Sequence, residues 1–119
     1  MTQEATIDLN EVLERVQNDK DLLVELFDIF LADCPAKITA LKEAAAQKDL
    51  TRIKEVAHSM KGASGNISAK KLYALFLKIE QMAKTNDLSA MGSSLQELDR
   101  QMEEFKVCSS KLKSDFKKT

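Results

Sequence analysis

The chain has a single histidine, His58, followed by Lys61 three residues later and Gly62 four residues later, in a stretch that otherwise reads as helix. Residues three and four apart share a helical face, so an imidazole, an ammonium group and a strip of bare backbone lie together. Imidazole as a class is largely unprotonated near neutral pH and is then nucleophilic. A cation one turn away can neutralise phosphoryl oxygens. The trio reads as a place where a phosphoryl group arrives and leaves.

Helical phase tests whether His58 is merely a packed core residue. At 100° per residue, Leu50, Ile53, Val56, Ala57, Met60 and Ser64 gather on one side of a helix predicted from about Leu50 to Gly65. His58 projects roughly 140° from the middle of that cluster and should face water. Lys54, Lys61, Gly62 and Gly65 occupy the same outer face. A glycine inside a helix costs about 1 kcal/mol relative to alanine. On an exposed face, a reason to keep Gly62 is close approach of another macromolecule to the backbone beside His58.

The segment Ala57-His58-Ser59-Met60-Lys61-Gly62-Ala63-Ser64-Gly65-Asn66-Ile67-Ser68-Ala69, with Leu72 after two lysines, resembles the signature of the histidine-containing phosphotransfer (HPt) family of multistep two-component phosphorelays. Upstream, Phe30, Asp33 and Pro35 match that family's Phe-x-x-Asp-x-Pro segment. One departure is Ser68, which stands where many members carry glycine. The resemblance implies that His58 accepts phosphate from the aspartyl phosphate of one receiver domain and passes it, reversibly, to the aspartate of another response regulator. The distal ring nitrogen would carry it. The implied partners are receiver domains and a hybrid sensor histidine kinase. Mg²⁺ is expected in the receiver, with no cofactor or metal on this chain.

Other site residues follow from position. Lys61 and Lys54, each one turn from His58, are placed to neutralise phosphoryl charge. Gly62, Lys54 and Gly65 form the expected receiver-docking face. Ser64, on the buried side, is read as a close-packing residue able to orient the histidine. Glu80 and Lys84, beside the apolar stripe of the next helix, are placed to approach the imidazole.

The elements that must position these residues are all helical. Asp8 and Glu11 form a capping-box-like start, with Ile7 and Val12 as a hydrophobic staple, for a short helix from about Leu9 to Gln17. A second helix from near Lys20 to near Lys48 carries Leu23, Phe27, Phe30, Cys34, Ile38, Leu41 and Ala45 in one phase straight through Pro35. Proline inside a helix removes a hydrogen bond, so one kinked helix or two coaxial ones are expected. Asp49 caps the His58 helix, Asn66 is expected to adopt the left-handed conformation that ends it, and Ser68 is expected to cap the fourth. Leu72, Leu75, Phe76, Ile79, Met82 and Ala83 form the fourth apolar face, broken at Thr85-Asn86-Asp87. A fifth helix has Leu88, Met91, Leu95, Leu98, Met102 and Phe105 as its seam, with Leu112 in phase and a frayed tail over about 112–119. Together these predict an all-α fold: an antiparallel up-down four-helix bundle with an additional short N-terminal helix, as a single HPt-like domain over 1–119.

Bulk properties agree. The 119 residues are 44% hydrophobic and 31% charged, with three glycines and one proline, which leaves little turn material for an all-β fold. There is neither a signal-like N-terminus nor an apolar run of spanning length, so a cytoplasmic protein is expected. Cys34 and Cys108 are expected to be reduced packing residues. Residues 1–34 hold nine acidic and two basic side chains, while the rest hold sixteen basic and ten acidic. The acidic helices give a potential that could orient a partner. Without aromatics spaced through a basic patch, nucleic-acid binding is not expected. The chain lacks a Gly-x-x-x-x-Gly-Lys-Ser/Thr loop, so the expectation is a phosphocarrier without ATP-dependent kinase activity. A monomer is expected, and Met1 with the lysine-rich end favours a free-standing protein. Two alternatives are a non-catalytic helical adaptor and the phosphorylatable domain of a chemotaxis-type kinase.

Overall fold

In the computed structural model, which describes residues 6–117, five helices follow one another: α1 (Leu9–Arg15), α2 (Lys20–Ala46), α3 (Leu50–Asn66), α4 (Lys70–Thr85) and α5 (Met91–Lys117). No strand occurs among the described residues. The four long helices pack in a ring, α2 on α3, α3 on α4, α4 on α5 and α5 back on α2. Short connections make sequential neighbours antiparallel, which is the up-down bundle that the apolar periodicities predict. Its core includes Leu23, Phe27, Leu41, Ile53, Leu72, Phe76, Ile79, Leu98 and Phe105, all essentially without solvent contact. Phe105 meets Phe27 and Phe30 edge-on, with ring centroids 5.7 and 5.0 Å apart. Met91, Leu98 and Phe105 of the α5 stripe are therefore intramolecular core.

Helix starts follow side-chain caps. Asp8, Asp19 and Asp49 each accept a backbone N–H three residues on, at 3.1, 3.0 and 3.1 Å. The predicted capping box is half made. Asp8 receives the Glu11 N–H, but Glu11 turns away to Lys70 (2.7 Å) and to the Ser68 hydroxyl (2.8 Å), while the Asp8 N–H donates to the Ser68 carbonyl. These bonds fasten α1 to the α3–α4 connection.

Helix ends differ from expectation. Asn66 stays helical, and Ser68, with φ 54°, takes the left-handed position. The Ser68 N–H bonds the Gly65 carbonyl and the Ala69 N–H bonds the Ser64 carbonyl, a Schellman closure. Ser68 is buried and caps nothing; Ala69 precedes α4 without a side-chain cap. Lys48 after α2 and Asn86 after α4 close in the same way, with φ 54° and 53°. Glycine suits that position best, yet the three glycines all lie inside helices. Gly62 is thus not kept for a turn.

Other differences are smaller. Pro35 sits on the exposed side of α2, which runs from Lys20 to Ala46 as one helix, the first of the two expected alternatives. Helix α1 stops at Arg15 because Gln17 and Asn18 are left-handed. Helix α5 begins at Met91, leaving Leu88 in the preceding turn. Its buried line is Met91, Ser94, Leu98, Gln101, Phe105 and Ser109, so Leu95 and Met102 are only half-buried. The expected frayed tail is helical to Lys117, with Lys113 3.3 Å from Asp28; residues 118–119 lie outside the described residues. Both cysteines are free, and burial pushes the Cys34 thiol up to about 12, which makes it unreactive. Among the described residues, no helix is long and apolar enough to cross a membrane.

Candidate functional site

Helix α3 buries Ile53, Ala57, Met60 and Ser64 and turns His58 outward, its side chain 70% exposed. The tight Ile67–Ala69 connection sets the register of α4 so that Glu80 comes under the imidazole. His58 Nδ1 lies 2.8 Å from Glu80 Oε2, and Lys61 Nζ donates to Glu80 Oε1 at 2.7 Å. Glu80 is only 3% exposed and is the one buried charged side chain among the described residues. A buried carboxylate needs partners. Its two are the histidine and the lysine of the His-x-x-Lys spacing.

Lys61 is the main reason that the Glu80 carboxyl lies below its ordinary value of 4.5. Burial opposes this, and the His58 bond adds to it. The Lys61 ammonium is raised in turn, chiefly by its bond to Glu80. An ionised carboxylate only accepts hydrogen bonds, so Nδ1 must be the donor. The neutral ring then carries its lone pair on Nε2, on the side away from Glu80. Glu80 therefore selects the tautomer and anchors a ring whose distal nitrogen is open to solvent.

The remaining predicted residues separate. A Cβ added to Gly62 would meet nothing within 4 Å, so open backbone lies one turn beyond His58. Gly65 is different, because the Tyr73 ring of α4 covers it, 3.4 Å from where a Cβ would stand. That is ordinary van der Waals distance, so Gly65 is covered by the ring and is not open docking backbone. The Ser64 hydroxyl donates to the Met60 carbonyl at 2.8 Å, so orientation of the histidine falls to Glu80. Lys54 is exposed one turn before His58. Lys84 is also exposed and acts on Glu80 through its charge, without a hydrogen bond. Two neighbours escaped the sequence reading. Tyr73 stands seven residues before Glu80, hence on the same face of α4, a spacing that marks it. Lys37 of α2 donates to the Ser59 hydroxyl at 3.2 Å, and no local pattern reveals that contact.

The family model of the Hpt domain matches residues 25–107. The chain belongs to the Hpt domain family. This Hpt chain is 30% identical over 73 residues to the phosphorelay protein LuxU of Vibrio harveyi, an alignment covering 61% of this chain and 64% of that protein. Its fold is similar to that of histidine-containing phosphotransfer protein B from Pseudomonas aeruginosa PAO1, with a TM-score of 0.84, 22% identity and coverage of 95% and 98% of the two chains. It is also similar to the HPT domain of a Shewanella sensor hybrid histidine kinase, with a TM-score of 0.69, 20% identity and coverage of 96% of each chain.

Two expected outcomes concern this cluster. Lys61→Ala leaves the buried Glu80 carboxylate with the imidazole as its remaining hydrogen-bond partner and takes a cation from the site. Phosphoryl transfer should fall on the order of tenfold, below the effect of losing a dedicated oxyanion donor, while the helical circular dichroism spectrum is kept. Unchanged transfer would remove Lys61 from the chemistry. The second concerns acid. Because the Glu80 value is lowered on folding, its pairing stabilises the fold above the ordinary value of 4.5 and is lost as pH falls through the lowered one. The Tm gap between wild type and Glu80→Gln should therefore shrink on acidification. A gap that widens toward low pH would contradict the ionised pairing.

Proposed function

We propose that this Hpt chain is a phosphocarrier in a phosphorelay, taking a phosphoryl group onto Nε2 of His58 from a receiver's aspartyl phosphate and returning it to the aspartate of another. The observation that carries this reading is the buried Glu80 carboxylate held 2.8 Å from Nδ1 of a histidine that is otherwise in water. As the Nε2 lone pair forms the N–P bond, the P–O bond to the aspartyl carboxylate breaks and the aspartate leaves as a carboxylate. The Nδ1 proton stays in place, and the ring gains positive charge next to Glu80. That carboxylate stabilises the charge, and Lys61, one turn along α3 and bonded to the same carboxylate, would turn its ammonium to the phosphoryl oxygens. Reversal follows the same path.

Positioning and charge stabilisation are what phosphoryl transfer requires. This chain supplies nucleophile, tautomer and cation; the receiver supplies Mg²⁺ and the acceptor aspartate. Open backbone at Gly62 lets the receiver's loops close over the imidazole. A cytoplasmic monomer working between a hybrid sensor histidine kinase and a response regulator fits these features.

The test is incubation with phosphorylated receiver domains, followed by transfer of an acid-labile, base-stable phosphate. Uptake and onward passage to a second receiver are expected. If wild type acquires no such phosphate from any receiver encoded with it, the proposal fails, and the adaptor reading takes its place.

A further inference from the structure

The groove between α4 and α5 lies on the other side of α4 from His58. Lys71, Leu75, Lys78 and Met82, spaced four, three and four residues apart, run along it. At 100° per residue that line points about 180° from Glu80, the residue that reaches the imidazole. Two hollows of about 270 and 430 Å³ meet at Lys78, so the groove is open from Lys71 to Thr85, about 21 Å of helix. Its floor is apolar at Leu75 and Met82. Its α4 rim is cationic, and neither Lys71 nor Lys78 has a salt-bridge partner among the described residues.

The α5 wall holds an unanswered hydrogen-bonding group. Gln101 is only 8% exposed and donates Nε2 to Glu97 at 2.6 Å, a carboxylate that Arg100 also holds. A carboxylate only accepts, which fixes the amide so that Oε1 is its free end. That oxygen has no partner, and neither do Ser94 Oγ, seven residues before it, and Glu104 Oε2, three residues after. Among the described residues, these are the buried side-chain oxygens left without a hydrogen bond, and they fall within one arc of about 80° on α5. Buried polar groups ordinarily have partners. A row of such oxygens, one of them in the wall of an open groove, marks a surface that another molecule completes.

We propose that the α4–α5 groove is a docking site for an acidic amphipathic helix of a partner protein, whose carboxylates, seven residues apart, meet Lys71 and Lys78 and whose polar edge donates to Gln101. Spacing selects a helix. The two lysines stand about 10.5 Å apart along α4, the rise of seven helical residues. One face of an extended chain repeats every ~6.6 Å and places no side chain at that interval. Apolar residues between the carboxylates would cover Leu75 and Met82, which is how a helix is held in a groove. A single small anion would reach one lysine and leave the floor uncovered. Because the line faces away from Glu80, an occupied groove leaves His58 free. The inference adds a second surface and does not depend on the relay reading.

The probe is a fluorescein-labelled synthetic helix of about three heptads, with Glu at every seventh position, Leu four residues after each and Gln along one edge. A control peptide carries Lys in place of Glu. Titrated with the full chain, the acidic probe should bind saturably with a Kd below about 100 μM. Lys71→Glu combined with Lys78→Glu should weaken it about tenfold or more, since like charges then face each other, and should bind the Lys control instead. Gln101→Leu should weaken the acidic probe about fivefold without lowering Tm. Loading of His58 from phosphoramidate, a small donor that releases ammonia as the N–P bond forms, should run at the same rate with the probe bound. No binding up to about 1 mM, equal affinity for the Lys control, indifference to the charge reversal or to Gln101→Leu, or slowed loading would each overturn the proposal. Sedimentation of the chain alone covers the other occupant. A dimer that the reversed variant dissolves would put a second copy in the groove, and the partner helix would be wrong.

Discussion

His58→Gln should acquire no phosphate from any phosphorylated receiver. The loss should be complete, because the chain has a single imidazole and glutamine offers an amide of negligible nucleophilicity. The fold should survive. The side chain is 70% exposed, and surface substitutions usually change stability by no more than about 0.5 kcal/mol. Glu80 keeps its bond to Lys61, so the buried carboxylate is not left without a partner. Radiolabel uptake together with a thermal melt separates the two effects. A variant that melts like wild type and takes up nothing localises the phosphate to His58. Label that persists would move it to another nucleophile and remove the argument built on Glu80.

Gly62→Gln should make the protein more stable and much slower. An added Cβ meets nothing within 4 Å, so no clash offsets the gain in helix propensity, on the order of 0.5–1 kcal/mol. Once docked, however, the receiver's loops would meet a long side chain one turn from the reacting nitrogen. Displacing reacting atoms by about 1 Å can reduce a rate roughly a hundredfold, and a loss of that size or larger is expected in transfer between proteins. Loading by phosphoramidate, a donor small enough to avoid the obstruction, separates steric exclusion from damage to the histidine. If protein-to-protein transfer is unchanged while stability rises, Gly62 is not a point of close approach.

Much of the architecture could be read from apolar spacing. The four long stripes are dictated by which residues the chain can bury, and a helix running straight through Pro35 keeps the phase that Phe30, Cys34 and Ile38 share. Helix ends were harder. Glycine is the usual signal for a left-handed closure, but Lys48, Ser68 and Asn86 adopt it here, held by paired backbone bonds that local composition does not announce. The buried line of α5 was also displaced, because Ser94, Gln101 and Ser109 face inward where apolar neighbours were expected. Periodicity finds a stripe, but neighbouring helices decide which edge of it is covered.

The site divides in the same way. The sequence by itself determined that one histidine would face water, with a lysine and an unobstructed glycine one turn along, since these depend only on helical phase and on residue type. It also placed Glu80 and Lys84 together beside the fourth apolar stripe, without choosing between them. Only the tertiary structure decided that Glu80 turns under the imidazole while Lys84 stays in water, that Tyr73 occupies the space beside Gly65, and that Lys37 reaches across from α2. Each of those depends on the register and rotation of one helix against another. That register is set by the packing of the whole core and by the closure at Ser68, quantities to which no single helix's sequence has access.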